Sequence, residues 1–212
     1  MAPEVKICGI TNFEDAAAAA KLGANYLGLN FFAESPRGLN PSAAVNLALK
    51  IKTELPQIKL VGVFVNEDPK KIQLLAETCE LDILQLHGKE SPEFCKQFSL
   101  PTWRAFRVKN ENSFEDLQQF LDLDGIVLDA FRKGKFGGTG QTFDWELIHK
   151  IRDEIPFFIL AGGINPKNAL KAAKQLRPNV VDICSGVELD EHPRKKDAKK
   201  LAKLFEELCK LS

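Results

Sequence analysis

Charge of one sign is missing from this chain: its 212 residues hold 29 Lys and Arg against 29 Asp and Glu, a formal net charge of zero. Without an excess of cations there is no basic footprint for nucleic acid. Long apolar runs are missing too, and nothing approaches the roughly 18 residues needed for a membrane span. The opening MAPEVKICGIT lacks the charged and then apolar regions of a secretory signal. The five cysteines, Cys8, Cys79, Cys95, Cys184 and Cys209, are widely spaced and form no CxxC. A disulfide scaffold is thereby excluded, no zinc-type cluster emerges, and reduced thiols in a cytoplasmic protein are expected. A dinucleotide fingerprint is also lacking, because the first strand runs into Cys8-Gly9-Ile10-Thr11-Asn12 and not GxGxxG. What is present, 44 % hydrophobic and 27 % charged residues, is ordinary for a globular protein.

Short β-rich runs recur along the whole chain: Val5–Ile10, Tyr26–Phe32, Lys59–Val65, Asp82–Leu86, Thr102–Val108, Gly125–Asp129, Pro156–Ala161 and Val180–Cys184. Each precedes a segment with helical spacing: Phe13–Leu22, Pro41–Leu55, Pro69–Cys79, Pro92–Phe98, Phe114–Leu121, Trp145–Arg152, Pro166–Leu176 and Asp197–Leu211. Strand alternating with helix argues for βαβ units and a parallel sheet. Eight such units predict an α/β fold, a single-domain (β/α)8 TIM barrel over residues 1–212. Asn40-Pro41, Asp68-Pro69, Ser91-Pro92 and Asn165-Pro166 each put a capping side chain before a proline, and Thr11-x-x-Glu14 reads as a capping box. The two longest strand-to-helix loops contain Glu34–Gly38 and Arg132–Gly140. They fall on the face where barrel enzymes build their sites.

The strand ends carry the chemistry. By alternation Lys6 and Cys8 share one face of the first strand, opposite Val5 and Ile7. Cys8 reads either as a small buried hydrophobe or as a thiolate favoured by a neighbouring cation and the following helix start. Cys79, Cys95 and Cys209 fall in helical segments and read as packing residues, whereas Cys184 stays ambiguous. Asp129 closes an apolar strand, either as a loop cap or as a catalytic acid or base, and Asp182 poses the same choice. Gln85 and His87 share a face at the fourth strand end and point to a polar contact; His149 and His192 read as surface residues. The turns Gly162-Gly163 and Ser185-Gly186 follow the seventh and eighth strands, where many barrels bind phosphate, with backbone amides and a helix start as the anion's partners. Either turn alone is an ordinary tight turn, but together they point to a phosphate site. Arg37 is either a surface cation or a bidentate partner for a carboxylate.

In combination these residues resemble the phosphoribosylanthranilate isomerase family. The matching motifs are Lys6-Ile7-Cys8-Gly9-Ile10-Thr11, Ser35-Pro36-Arg37, Gly62-Val63-Phe64, Gln85-Leu86-His87-Gly88 and Leu128-Asp129-Ala130. Gly137-Gly138-Thr139-Gly140 with Phe143-Asp144-Trp145, Leu160-Ala161-Gly162-Gly163, and Val181-Asp182-x-x-Ser185-Gly186-Val187-Glu188 complete the set. Cys184 departs from the family's usual serine, and Pro193–Asp197 from its usual P-G-x-K-D. The resemblance implies an Amadori rearrangement of N-(5-phosphoribosyl)anthranilate with no metal or organic cofactor. It implies Asp129 as general acid and Cys8 as general base, and Arg37 on the anthranilate carboxylate. Gln85, His87 and Asp182 would line the sugar pocket, and Gly162, Gly163, Ser185 and Gly186 would hold the phosphate. The 137–140 loop would form a mobile cover. The expected partner is a small phosphosugar, with no nucleic acid or membrane, bound by a monomer or homodimer. Three rivals remain to be weighed. The histidine-pathway aminoaldose–aminoketose isomerase pairs two aspartates, and indole-glycerol-phosphate synthase relies on lysines. A catalytically silent phosphate-binding domain would have no need of a cysteine and an aspartate.

Overall fold

A computed structural model describes residues 2–108, 110–129 and 145–211. Eight parallel strands close into a barrel in chain order: β1 (Glu4–Cys8), β2 (Tyr26–Asn30), β3 (Lys59–Phe64), β4 (Ile83–Leu86), β5 (Thr102–Arg107), β6 (Gly125–Asp129), β7 (Phe158–Ala161) and β8 (Val180–Ile183). Strand β8 pairs back onto β1, with Lys6 opposite Asp182 and Ile7 opposite Ile183. The closed (β/α)8 barrel that the alternation predicts is therefore the fold. Side-chain alternation separates two apolar sets. Val5 and Ile7 of β1 belong to the layer between barrel and helices, while Val61, Trp103, Val127, Ile159 and Val180 pack together as a separate cluster.

The helices are α1 (Phe13–Leu22), α2 (Pro41–Glu54), α3 (Pro69–Thr78), α4 (Pro92–Lys96), α5 (Trp145–Ile151), α6 (Ala169–Leu176) and α7 (Ala198–Cys209). Three of the proline-linked caps form as expected: Asn40 accepts from the Ala43 amide, Asp68 from Lys70 and Lys71, and Ser91 from Phe94. The other two starts differ. Asn12, not Thr11, caps α1 by accepting from the Asp15 amide, because the Thr11 hydroxyl donates instead to the Arg194 carbonyl at 2.5 Å. Asn165 accepts from the Lys167 amide, and Asn168 from the Asn165 amide. That polar turn delays α6 until Ala169.

The segment predicted as a helix over Phe114–Leu121 forms two short 3-10 turns, Glu111–Phe114 and Leu117–Phe120. Its apolar residues Phe114, Leu117 and Phe120 repeat every third position, the period of a 3-10 turn and not of an α-helix. A hairpin absent from the sequence reading, β9 (Glu188–Leu189) with β10 (His192–Lys196), lies between β8 and α7. Cys79 and Cys95 are buried as expected, but Cys209 is exposed. Among the described residues, no helix is long and apolar enough to cross a membrane.

Candidate active site

Lys6 and Cys8 project from β1 toward β8 and β2. Lys6 is fully buried and donates to Asp182 Oδ2 at 2.8 Å. Burial opposes its charge, yet Asp182, and after it Cys8, hold the ammonium above its usual range. Burial pushes the Asp182 carboxyl up to about 6 while Lys6 pulls it back. Both members are thus ionised at neutral pH. The Cys8 thiol is held well below its ordinary range: the neighbouring Cys184 thiol favours its charged form, burial opposes, and the Lys6 and Lys196 ammonium groups add to the lowering. These surroundings favour the thiolate form of Cys8. A neighbouring thiol and two cations are the cause. The start of α1, which the sequence reading invoked, lies beyond Asn12.

Gly28 of β2 makes room for this pair. A Cβ built there would lie 2.7 Å from Cys8 Sγ and 3.1 Å from Lys6 Nζ. Gly28→Ala is expected to displace the Cys8 sulfur and lower kcat about tenfold to a hundredfold, with a smaller change in KM, since small misplacements of a reacting group cost that much. Steady-state kinetics on the folded variant check this, and an unchanged kcat would show that the sulfur's position is not critical.

Asp129 ends β6, and its Oδ2 lies 3.3 Å from His87 Nε2, close but not aligned as a hydrogen bond. The carboxylate is thus not alone at the barrel mouth. Four buried side-chain polar atoms lack a hydrogen-bond partner among the described residues: Gln85 Oε1, His87 Nε2, Asp182 Oδ1 and Arg104 Nε. Three of the four belong to predicted sugar-pocket residues. An unpaired buried polar atom costs about 1–3 kcal/mol, so polar atoms kept unpaired at strand ends are what a hydroxyl-rich ligand would satisfy.

Arg37, which follows β2, has its guanidinium on Glu188: Nε donates to Oε1 at 2.6 Å and Nη2 to Oε2. Lys196 Nζ, carried in by the hairpin, donates to the same Oε1 at 3.0 Å. The bidentate fork predicted for Arg37 is thus engaged by a protein carboxylate. The glycine turns lie where expected. Gly162 and Gly163 both have positive φ, and a Cβ on Gly163 would meet nothing within 4 Å, so that turn faces open space. A Cβ on Gly186 would lie 1.9 Å from the Ile164 carbonyl oxygen, so the turns after β7 and β8 pack directly together. Because α6 starts only at Ala169, the helix dipole lies a turn further from Gly163 than predicted. The loop read as a cover, 137–140, lies outside the described residues.

Sequence reasoning assigned no role to Gly28, Glu188 or Lys196 and left Cys184 ambiguous. A glycine inside an apolar strand was a usable signal for close approach. The other three are joined to the site by contacts that no local pattern records. Among the described residues, no group of three His, Cys, Asp or Glu side chains is placed to hold a metal ion.

The family model for N-(5'-phosphoribosyl)anthranilate (PRA) isomerase matches residues 5–207. The N-(5'-phosphoribosyl)anthranilate isomerases of Trichlorobacter lovleyi and Moorella thermoacetica are 38% and 42% identical to this chain over 198 and 186 residues. Those alignments cover 93% and 88% of this chain, and 94% and 82% of the relatives. The phosphoribosyl anthranilate isomerase structure from Thermotoga maritima matches with a TM-score of 0.89 at 37% identity, over 98% of this chain and 99% of that one. An isomerase solved with reduced 1-(o-carboxyphenylamino)-1-deoxyribulose 5-phosphate matches with a TM-score of 0.86 at 36% identity, again over 98% and 99%. Matched across nearly its whole length in sequence and fold, the chain belongs to the N-(5'-phosphoribosyl)anthranilate isomerase family.

Proposed function

We propose that this chain is the isomerase of tryptophan biosynthesis that converts N-(5-phosphoribosyl)anthranilate to 1-(o-carboxyphenylamino)-1-deoxyribulose 5-phosphate, with Cys8 as general base and Asp129 as general acid. The observation that carries the assignment of the base is the buried Cys8 sulfur beside the Lys6 ammonium, the two side chains meeting over Gly28. Asp129 stands on the same barrel, separated from β1 by β7 and β8. In the reaction Asp129 gives its proton to the furanose ring oxygen, the C1′–O bond breaks and its electrons leave with oxygen, and the nitrogen lone pair forms the C1′=N bond. Cys8 then takes the C2′ proton, and the electrons of that C–H bond shift to give the enolamine, which tautomerises to the aminoketone. An acid and a base of different strengths are what two successive proton transfers require.

Gln85, His87 and Asp182 supply unpaired polar atoms for the sugar hydroxyls. Gly162, Gly163, Ser185 and Gly186 form the phosphate turn, and Arg37 meets the anthranilate carboxylate. We read the chain as a single-domain cytoplasmic enzyme, a monomer or homodimer, whose partner is this phosphosugar and neither nucleic acid nor membrane. The rival histidine-pathway isomerase pairs two aspartates, and Cys8 at the end of β1 disfavours it. The test follows the fluorescence of freshly made phosphoribosylanthranilate. Loss of the signal on adding folded protein is expected, and an unchanged signal would overturn the assignment.

A further inference from the structure

The fourth unpaired polar atom, Arg104 Nε, belongs to no predicted site residue. Arg104 stands on β5 opposite Leu86 of β4 and Ile126 of β6, both in the layer between barrel and helices. Its charge is buried there, as is that of Glu90, each residue being 7% exposed. The guanidinium lies 5.1 Å from the Phe106 ring centre and 5.4 Å from that of Phe120. Nη1 donates to the Leu86 and Ala105 carbonyls, the first at 3.2 Å, and Nη2 to the Gly88 carbonyl at 3.0 Å. Leu86 and Gly88 flank His87 in the chain. The head group thus reaches main chain on both sides of His87, while its own Nε stays without a partner among the described residues.

Glu90 holds the same turn by its amides. Its Oε2 accepts from the Gly88 amide and its Oε1 from the Asn66 amide, both at 2.8 Å. Asn66 has φ +49°, a left-handed conformation that a non-glycine residue keeps only where its surroundings hold it. Its Oδ1 accepts from the Lys89 amide at 2.6 Å, and a Cβ on Gly88 would lie 2.3 Å from that oxygen. The His87 amide itself donates to the Phe64 carbonyl of β3 at 2.8 Å. Arg104 Nη1 stands 3.8 Å from Glu90 Oε2, so each charge balances the other. Buried charges are costly to place in an apolar layer. Most of the hydrogen bonds these two make go to the main chain flanking His87.

We propose that Arg104 and Glu90 are positioning residues for His87, clamping the main chain on both sides of it so that its imidazole is held beside the Asp129 carboxylate. The inference rests on the reading of His87 as a substrate-pocket residue. His87 Nε2 lies 3.3 Å from Asp129 Oδ2, and a shift of the turn would change that distance directly. Arg104 faces the layer outside the barrel, so its effect on the reaction runs through the turn and not through contact with substrate. A merely structural ion pair would support the barrel without acting on His87 in particular.

Arg104→Lys keeps a cation beside Glu90 and replaces the planar fork by a point charge. Glu90→Gln keeps the volume and loses an acceptor for one of the two amides. Imidazole signals in long-range proton–nitrogen NMR spectra read the position, with His87 identified by its loss in His87→Ala. In both variants the His87 signals are expected to shift while those of His149 and His192 stay. The value of kcat/KM is expected to fall about tenfold to a hundredfold, since misplacing a pocket group by about 1 Å costs that much. In a His87→Ala background Arg104→Lys should change kcat/KM by less than about twofold, because the group it positions is gone, whereas independent effects would multiply. Where His87→Ala lowers kcat/KM, an Arg104→Lys effect that multiplies with it overturns the proposal. Folded variants whose His87 signals superimpose on wild type overturn it as well. Moved His87 signals, with kcat/KM unchanged by His87→Ala, would uphold the clamp and remove His87 from the substrate pocket, so the two readings fail separately.

Discussion

Cys8→Ser is expected to lower kcat about 100- to 10,000-fold, the span that a positioned general base contributes, with the barrel still folded. Serine keeps the size and hydrogen-bonding capacity of the side chain and loses only the ability to ionise near neutral pH. Neither Lys6 nor Lys196 can make it an alkoxide, so the fault lies in proton abstraction and not in packing. The pH profile of the wild-type enzyme carries the same signature. Because Cys184 and the two lysines hold the Cys8 thiol below its usual range, activity falls on the acid side as the thiolate is protonated, and that limb lies below the pH at which an ordinary cysteine titrates. Asp129→Asn is the matching change for the acid: the shape is retained beside His87 and the transferable proton is removed. A comparable loss is expected. Steady-state kinetics with a circular dichroism control decide both, and Cys8→Ser with turnover close to wild type would remove Cys8 from the mechanism.

The largest expected effect on stability comes from the same strand. Lys6→Met leaves Asp182 buried without its cation and is expected to cost about 3–5 kcal/mol. A buried ion pair broken on one side leaves an uncompensated charge, whereas an exposed pair costs about 0–1 kcal/mol. The sign of the pH dependence follows from Asp182, whose carboxyl is raised to about 6 from a reference of 3.8. A carboxyl raised on folding binds its proton more tightly in the native state, so its unfavourable contribution is present above that range and is relieved as pH falls through 6. Removing Lys6 removes the downward pull, and relief then begins at a higher pH. Chemical denaturation should therefore show a smaller deficit for Lys6→Met at about pH 5 than at about pH 7.5. Lys6→Met combined with Asp182→Leu should recover most of the loss, since a buried pair replaced by apolar groups is often neutral. A single-variant deficit below about 1 kcal/mol at the higher pH would show that the pair behaves as if exposed.

Much of this arrangement was legible before any coordinates. Period-two alternation put Lys6 and Cys8 on one face of β1, and the barrel interior receives Lys6 as expected. Strand–helix repetition predicted eight units, and Asn40, Asp68 and Ser91 marked helix starts that form as predicted. These signals succeed because they are local, arising from backbone geometry and side-chain spacing within a few residues. Where two local solutions competed, pattern alone misjudged them. Thr11 gave up its cap for the distant Arg194 carbonyl, and the three-residue repeat of Phe114, Leu117 and Phe120 produced 3-10 turns.

The ends of the strands, and hence the candidate base and acid at Cys8 and Asp129, were legible in the sequence alone, because the apolar β-rich runs Val5–Ile10 and Gly125–Asp129 are local signals. What surrounds Cys8 was decided only by closure of the barrel. Pairing of β8 with β1 places Asp182 on Lys6 across 176 residues, and the returning hairpin brings Lys196 to Glu188, which Arg37 reaches across 151. Such contacts leave no periodic trace. Their register is set by the stagger of the closed sheet, and that stagger belongs to the ring as a whole.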